Sequence, residues 1–300
     1  MIYTVTFNPA VDLVVYTDQI EKGSVNRLKD ERIYFGGKGV NVSLVLHELG
    51  IASRALGFTA GFTGEAIEKS IAQRGIETDF VHLDSGFSRI NVKIKSGAET
   101  ELNAQGPEIP ADKLGELFGK IDKLSDGDTI VLAGSVPSTL PADIYEKILQ
   151  CLSGKRVRAV VDASKELLLN VLKYKPFLVK PNHIELGEMF GVSVETIDDA
   201  VKYAKKLKEM GALNVLVSMA ENGAALVDES GNTHICGVCS GTSVNSVGAG
   251  DSMLAGFIAG YDEGGCEYAL KLGTAAGGAT AFSEGLASRE KIFKCFEKLF

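Results

Sequence analysis

The 300-residue chain has no apolar run of about 18 residues, so no segment is expected to cross a membrane as a helix. It has no excess of basic charge: 31 Lys and Arg stand against 39 Asp and Glu, a net charge of −8. Nucleic acid needs a broad cationic face, so this balance speaks against DNA or RNA as a partner. A small anion needs only two or three local cations and stays open. Cysteines are few, odd in number and widely spaced, five in all, which argues against a disulfide framework and for reduced thiols. One CxxC is present, Cys236-Gly-Val-Cys239 after His234, but there is no second one to complete a four-ligand zinc site. The stretch follows the turn Glu229-Ser-Gly-Asn232 and reads as a strand, where residues three apart point to opposite faces. Neither metal nor redox chemistry is expected there. The opening MIYTVTFNPAVD reads as a strand and lacks the basic start and long apolar stretch of a signal peptide, so a cytoplasmic protein is expected. No linker, low-complexity tract or internal repeat is visible.

What is present is globular: 45% apolar and 23% charged residues. The length suits one large α/β domain with an appendage. Short apolar strands (Ile2–Phe7, Arg54–Phe58, Thr129–Ala133, Arg158–Asp162, Phe177–Lys180, Asn214–Ser218) alternate with amphipathic helices (Gly39–Leu49, Glu65–Arg74, Asp143–Leu152, Ile197–Met210, Ala249–Tyr261). That alternation predicts a parallel sheet with helices on both faces. Ligands of such sheets bind outside the carboxyl ends of the strands.

Two stretches depart from this rhythm. Val11–Thr17 with Asn26–Ile33, and Arg89–Lys95 with Glu99–Gln105, read as strands without an intervening helix. They predict a small antiparallel sheet beside the main domain. In Arg89–Lys95 the apolar Ile90, Val92 and Ile94 alternate with Arg89, Asn91, Lys93 and Lys95. The polar face is suited to cover a ligand. The apolar face needs burial, against the body or a second copy of itself.

Four segments carry candidate chemistry, each with a purely structural reading beside it. Phe35-Gly-Gly-Lys-Gly-Val-Asn41 is neither a Walker loop nor GxGxxG. Its glycines let backbone approach a ligand, with Lys38 and Asn41 on the first helical turn, or they make a tight strand-to-helix turn. Asp12 sits in a strand, where Asp is disfavoured; it is either exposed or placed to accept hydrogen bonds from sugar hydroxyls. Asn182 and Glu185 form a capping box, or order water around magnesium at a strand end. In Val247-Gly-Ala-Gly-Asp-Ser252, Asp251 is either a helix-start carboxylate worth about 1 kcal/mol or a base beside bared backbone N–H groups. Capping does not require Gly-Ala-Gly before it. Such N–H groups at a helix start make an anion hole for a transferring phosphoryl group, and a neighbouring carboxylate is placed to deprotonate an attacking hydroxyl.

Together these motifs, over Tyr3 to about Ala287, resemble the PfkB-type, ribokinase-like carbohydrate kinases. The two signatures are Phe35-Gly-Gly-Lys-Gly-Val-Asn-Val-Ser43 and Val247-Gly-Ala-Gly-Asp-Ser252. The resemblance implies a Rossmann-like three-layer α/β/α sandwich over residues 1–300, with a lid formed by about 10–34 and 87–106. It implies ATP and Mg2+ as cofactors and a sugar phosphate as substrate. Asp251 becomes the general base, and the N–H groups of Gly248, Ala249 and Gly250 the anion hole. Asp12, Gly36, Gly37, Lys38 and Asn41 match positions that hold the sugar. Arg27 and Arg89 match lid residues that grip its phosphate, with Asn103 and Ser135 beside them. Lys180, Asn182, Ser218, Ala220, Glu221, Asn222 and Gly223 fall on the nucleotide side, as does Gly250, with Gly277 and Ser283 near the adenine. Glu185 matches the acid that supports magnesium, through water. The lid's apolar face implies a homodimer. Phe7 stands where relatives carry Leu, a change expected to be confined to the core. Asp162-Ala-Ser-Lys165 replaces a more usual Asp-x-Ser-Gly. A non-catalytic sugar-phosphate sensor that kept the fold is the alternative from another class.

Overall fold

The computed structural model describes every residue except Ser138, Ser164 and Phe300, and the side chain of Ala98. Ser164 belongs to the Asp162–Lys165 segment compared above with the family, and its position lies outside the described residues. In chain order the first half contains β1 (Ile2–Thr6), β2 (Ala10–Tyr16), β3 (Asp30–Gly36), α1 (Lys38–Glu48), β4 (Ser53–Ala60), α2 (Gly61–Gln73), β5 (Glu77–Thr78), β6 (Val81–Leu83), β7 (Arg89–Ser96), β8 (Ala98–Leu102), α3 (Ala111–Ile121), β9 (Thr129–Ala133) and α4 (Ile144–Cys151). Then follow β10 (Arg158–Asp162), α5 (Lys165–Val171), β11 (Leu178–Val179), α6 (His183–Phe190), α7 (Ile197–Glu209), β12 (Asn214–Ser218), β13 (Ala224–Val227), β14 (Thr233–Cys236), α8 (Ala249–Ala281) and α9 (Arg289–Phe296).

Strand β9 shows why the main sheet is covered twice. Ile130 and Leu132 point into a core built with α3 to α7. Val131 and Ala133 point into a second core built with α1, α8 and α9. An apolar residue at every position of a strand demands a helical layer on each face. The strand order is β14-β13-β12-β11-β10-β9-β1-β4-β5, with β6 beside β4. Pairing is parallel from β5 through β12, and the β13–β14 hairpin closes one edge antiparallel. The result is the expected three-layer α/β/α sandwich. No helix among the described residues is long and apolar enough to cross a membrane.

The second sheet has the order β3-β2-β7-β8. It corrects one expectation: β2 and β7 pair parallel, so the sheet is mixed rather than antiparallel. Its two hairpins, β2–β3 and β7–β8, are antiparallel as expected. The reason is topological. β2 follows β1, and β7 follows the β4–β6 region, so both leave the same end of the main sheet and run outward together. The strand expected from Asn26 begins at Asp30. Asn26 instead closes a loop, accepting from Glu21 N at 2.9 Å and donating to Glu21 O at 3.0 Å.

Phe7, just beyond β1, is buried and stacks on Phe58 and Tyr145 with ring centroids 6.3 and 5.7 Å away. Replacing it with the Leu expected of relatives removes both ring contacts and leaves a small void. Phe7→Leu should therefore lower unfolding stability by about 1–2 kcal/mol, measured by urea denaturation; an unchanged midpoint would show that neighbouring side chains collapse into the space.

Candidate active site

The catalytic candidates meet where the parallel strands end. β10 ends in Asp162, β11 is followed by Lys180, and the first turns of α1 and α8 supply Lys38 and Asp251. A cavity of about 630 Å³ opens here, covered by the β2 and β7 face of the small sheet. Its wall includes Asp12, Gly37, Lys38, Asn41, Arg89, Asn103, Ser135, Lys180, Asn182, Glu185, Ser218, Gly248, Gly250 and Asp251, fourteen of the residues singled out from sequence.

The turns that build the site depend on glycine. Gly37 has φ 131°, and a Cβ there would lie 2.6 Å from Thr6 Cγ2. The chain can therefore drop straight from β3 into α1, whose Val40 N–H is received by Thr6 Oγ1 at 3.0 Å. Gly248, at the start of α8, is left-handed with φ 80°, and a Cβ would press on Leu286 at 2.7 Å. Only glycine takes this conformation at small cost. Gly250 lies against Lys180, whose Nζ would be 3.3 Å from an added Cβ. The first-turn N–H of Gly250 has no intrahelical carbonyl to bond, and Gly250 and Lys180 line the same cavity. Ala249 N–H donates to Ser246 O at 3.2 Å.

Asp251 is 5% exposed. Its Oδ2 accepts a hydrogen bond from Asn41 Nδ2 at 2.8 Å. Burial, and then the charge of Asp162, push its pKa up to about 6, against the pull of Lys38, Asn41 and Lys180. Asp162 is fully buried, with Lys180 Nζ at 3.4 Å and Lys38 Nζ at 3.5 Å from its Oδ2. Burial opposes its charge, but the two ammonium groups outweigh burial and hold the carboxyl below its ordinary range. Asp162 in turn is the main reason that Lys38 is held above its usual value. The Asp162–Lys180 pair is buried on both sides, and such a pair leaves a costly charge behind if one partner is removed.

On the sheet that covers the cavity, Asp12 Oδ1 accepts from Asn91 Nδ2 at 2.8 Å. Arg89 Nε donates to Asn8 O at 3.1 Å, and burial lowers its pKa from the ordinary arginine value. Asn103 donates to Glu101 Oε2 at 3.1 Å. The capping box at α6 is present: Asn182 Oδ1 accepts from Glu185 N at 2.8 Å, and Glu185 Oε2 accepts from Asn182 N at 2.9 Å. Both readings of this segment therefore coexist, because the box uses one oxygen of a glutamate that also lines the cavity.

Other expected residues stand apart from this wall. Arg27 is exposed on the segment between β2 and β3. Gly36 borders a neighbouring groove and backs Asn41, whose Oδ1 would be 3.1 Å from a Cβ at that position. Ala220, Glu221 and Asn222 form a single 3-10 turn closed by Gly223, beyond the cavity's edge. Gly277 lets the second half of α8 pack on its own first turn, since a Cβ there would lie 3.1 Å from Ala249 O. Ser283 donates to Ala279 O at 2.9 Å and accepts from Lys291 Nζ at 3.0 Å. Lys165 pairs with Glu188 at 3.1 Å. Cys236 closes β14, while Cys239 lies past the strand and is buried near Cys295 O at 3.6 Å, so the opposite-faces argument does not reach it.

Asp162 and Asn91 line the cavity although the sequence reading assigned them no site role. Each carried a signal. Asp162 ends an apolar strand at the ligand-binding side of a parallel sheet, and Asn91 lies on the polar face of an alternating strand.

Fold and site together define a ribokinase-like α/β kinase architecture. The chain matches the pfkB family carbohydrate kinase over residues 4–292, and it belongs to that family. It is 48% identical over 293 residues to a 1-phosphofructokinase of Bacillus subtilis (strain 168), covering 97% of this chain and 96% of the relative. It is 40% identical over 295 residues to a D-tagatose-1-phosphate kinase of Bacillus licheniformis, covering 97% and 96%. Among solved structures, phosphofructokinase-2 from Escherichia coli in complex with substrates and products superposes with a TM-score of 0.92 at 27% identity, covering 99% of this chain and 98% of that one.

The position of Asp251 has a measurable thermodynamic consequence. Its carboxyl binds a proton more tightly in the folded chain, near pH 6, than at the ordinary value of 3.8. Folding is unpenalised below about pH 4; the penalty grows as pH rises to about 6 and is constant above. Asp251→Asn removes it. The variant should be more stable than wild type at pH 7.5 by up to about 2–3 kcal/mol, and the advantage should shrink towards pH 4. Denaturant unfolding at several pH values checks this; a variant less stable at pH 7.5 would contradict it.

Proposed function

We propose that this carbohydrate kinase transfers the γ-phosphoryl group of ATP to fructose 1-phosphate, giving fructose 1,6-bisphosphate. The observation that carries the reading is Asp251, buried in the first turn of α8 on the cavity wall, fixed by Asn41 and poised near pH 6. A general base works best with a pKa near the operating pH. Asp251 takes the proton of the attacking sugar hydroxyl. The sugar oxygen bonds to the γ-phosphorus as the bond to the ADP oxygen breaks. Gly250 N–H and the positive end of α8 face the charge that develops on the transferring group, and Lys180 neutralises it from the other side. Asp162, on the same wall, holds Lys180 and Lys38. Asp12 and Asn41 suit the sugar hydroxyls. Arg89 and Lys38 suit the phosphate already on the sugar, with Arg27 reaching it from the lid segment. Ser218 and the 220–223 turn belong to the nucleotide side.

Glu185 fits a magnesium site. It is a hard oxygen donor on the cavity wall, and its Oε1 has no hydrogen-bond partner among the described residues. Mg2+ held there through water would neutralise charge on the nucleotide phosphates.

The nearest alternative is a tagatose-phosphate kinase. Tagatose 6-phosphate carries its phosphate at the opposite end from fructose 1-phosphate. The two relatives named above both act, by name, on ketose 1-phosphates, which favours the 1-phosphate end. A sensor without catalysis would have little use for the base and the bared first-turn N–H together.

The test is an ADP-release assay with ATP and magnesium across fructose 1-phosphate, tagatose 1-phosphate, tagatose 6-phosphate, fructose 6-phosphate and fructose. The highest kcat/KM is expected for fructose 1-phosphate. With it, kcat should fall below about pH 6 as Asp251 gains its proton, and Asp251→Asn should lower kcat by about 10²–10⁴-fold with substrate binding kept. A tagatose phosphate turned over best would change the substrate and keep the roles. An Asp251→Asn enzyme of wild-type rate would remove the base.

We also propose a homodimer through the lid. Ile33, Leu13, Val92 and Leu102 are register partners in one row across all four strands, on the face opposite Asp12 and Asn91. Ile33 and Leu102 are 59% and 56% exposed in the single chain, an apolar row that a second copy would cover. Light scattering should give two chains for the wild type and one for Ile33→Asp with Leu102→Asp; a monomeric wild type would rule out this assembly.

A further inference from the structure

The hairpin at the far edge of the main sheet brings together three side chains that the phosphoryl-transfer reading does not use. Asp228 follows β13, His234 lies on β14, and Cys266 follows the break at Gly265 (φ 71°), where α8 resumes as a second helical stretch. One carboxylate oxygen, one imidazole nitrogen and the Cys266 sulfur all lie within 4.8 Å of one another. We propose that Asp228, His234 and Cys266 form a zinc site.

The donor set argues for the metal. Oxygen, nitrogen and thiolate sulfur together suit Zn2+, which is borderline in softness, and do not suit Mg2+ or Ca2+. Zinc bonds of about 2.0–2.3 Å in a tetrahedron place donor atoms roughly 3.3–3.7 Å apart. A contraction of about 1 Å across the widest pair therefore closes the site around an ion. The partners around the site are already arranged. His234 Nε2 now donates to Asp228 Oδ2 at 2.8 Å, and an ion would take the place of that shared proton. Asp228 is held by its own turn, accepting from Asn232 N at 2.8 Å on Oδ1 and from Asn232 Nδ2 at 3.1 Å on Oδ2. Such outer bonds orient a ligating carboxylate. Asp228 is buried, while His234 and Cys266 are part-exposed, so an ion has an entry path.

On binding, Cys266 loses its thiol proton to solvent. His234 passes its Nε2 proton to solvent, takes one up on Nδ1, and gives its Nε2 lone pair. Water fills the fourth position. The ion would tie the β13–β14 hairpin to the middle of α8, the helix whose first turn carries Asp251. The CxxC itself is not the site: Cys236 and Cys239 are not members of this cluster.

The test uses full-length protein freed of metal by dialysis against a chelator, without nucleotide or magnesium. Zn2+ is titrated in competition with a chromophoric chelator, and Co2+ is titrated separately. One equivalent of zinc per chain is expected at this site, and Co2+ should give a thiolate charge-transfer band in the near ultraviolet. Cys266→Ser and His234→Gln should each weaken zinc binding by at least about tenfold, since even outer-sphere partners are worth about 10–100-fold. Cys266→Ser should also abolish the cobalt band. A Cys236→Ser, Cys239→Ser double variant should bind as wild type. Kinase activity without zinc should be unchanged in Cys266→Ser, which confirms its fold. Equal affinity in the wild type and Cys266→Ser, or loss of binding in the double variant instead, would overturn the proposal, as would a wild type that binds no zinc.

Discussion

Two buried carboxylates, the buried Lys180 and the half-exposed Lys38 share one corner, and the rest of the site is arranged around that balance. Asp162 lies between Lys38 and Lys180, and Asp251 feels all three. Without the lysines, two buried acids so close would share a proton and neither would be reliable as a base. Without Asp162, the buried Lys180 ammonium would lose its counter-charge while Lys38 stands nearby. With all four present, one acid is held ionised and the other is left near pH 6. The charges also explain the convergence of elements. β10, β11, α1 and α8 each deliver one member, so the site exists only when all four are docked.

The fold makes this docking possible through strand direction. In a parallel sheet every carboxyl end lies on one side, and the following helices start there with free N–H groups and a positive dipole end. Lys38 and Asp251 both occupy first turns, on helices that begin at Gly37 and Gly248. The small sheet leaves the same side, which is why its two inner strands run parallel and why its polar face closes over the cavity.

Much of this was legible in the sequence. Three strands, Thr129–Ala133, Arg158–Asp162 and Asn214–Ser218, are read correctly to the residue because apolar runs between helices have no other stable placement. The strand expected over Arg89–Lys95 runs one residue further, to Ser96, and its two faces are fixed by alternation. The edge hairpin and the second half of α8 are harder to read. β13 is four residues long, and Gly264-Gly265 breaks a helix that later resumes. The Asn26 segment misled because its side chain bonds the backbone of Glu21, a contact that no periodicity signals.

The sequence by itself determined the class of structure and the family, because strand-and-helix rhythm and two glycine-rich turns are local patterns. It also marked Asp251, since a carboxylate after Gly-Ala-Gly is unusual in any helix start. The tertiary structure alone decided which charges touch. Asp162 and Lys38 are 124 positions apart in the chain, and Asn41 and Asp251 are 210 apart. Burial, and the pairing of ammonium with carboxylate, depend on distance in space. Those quantities set the proton affinity of Asp251, and no local pattern contains them.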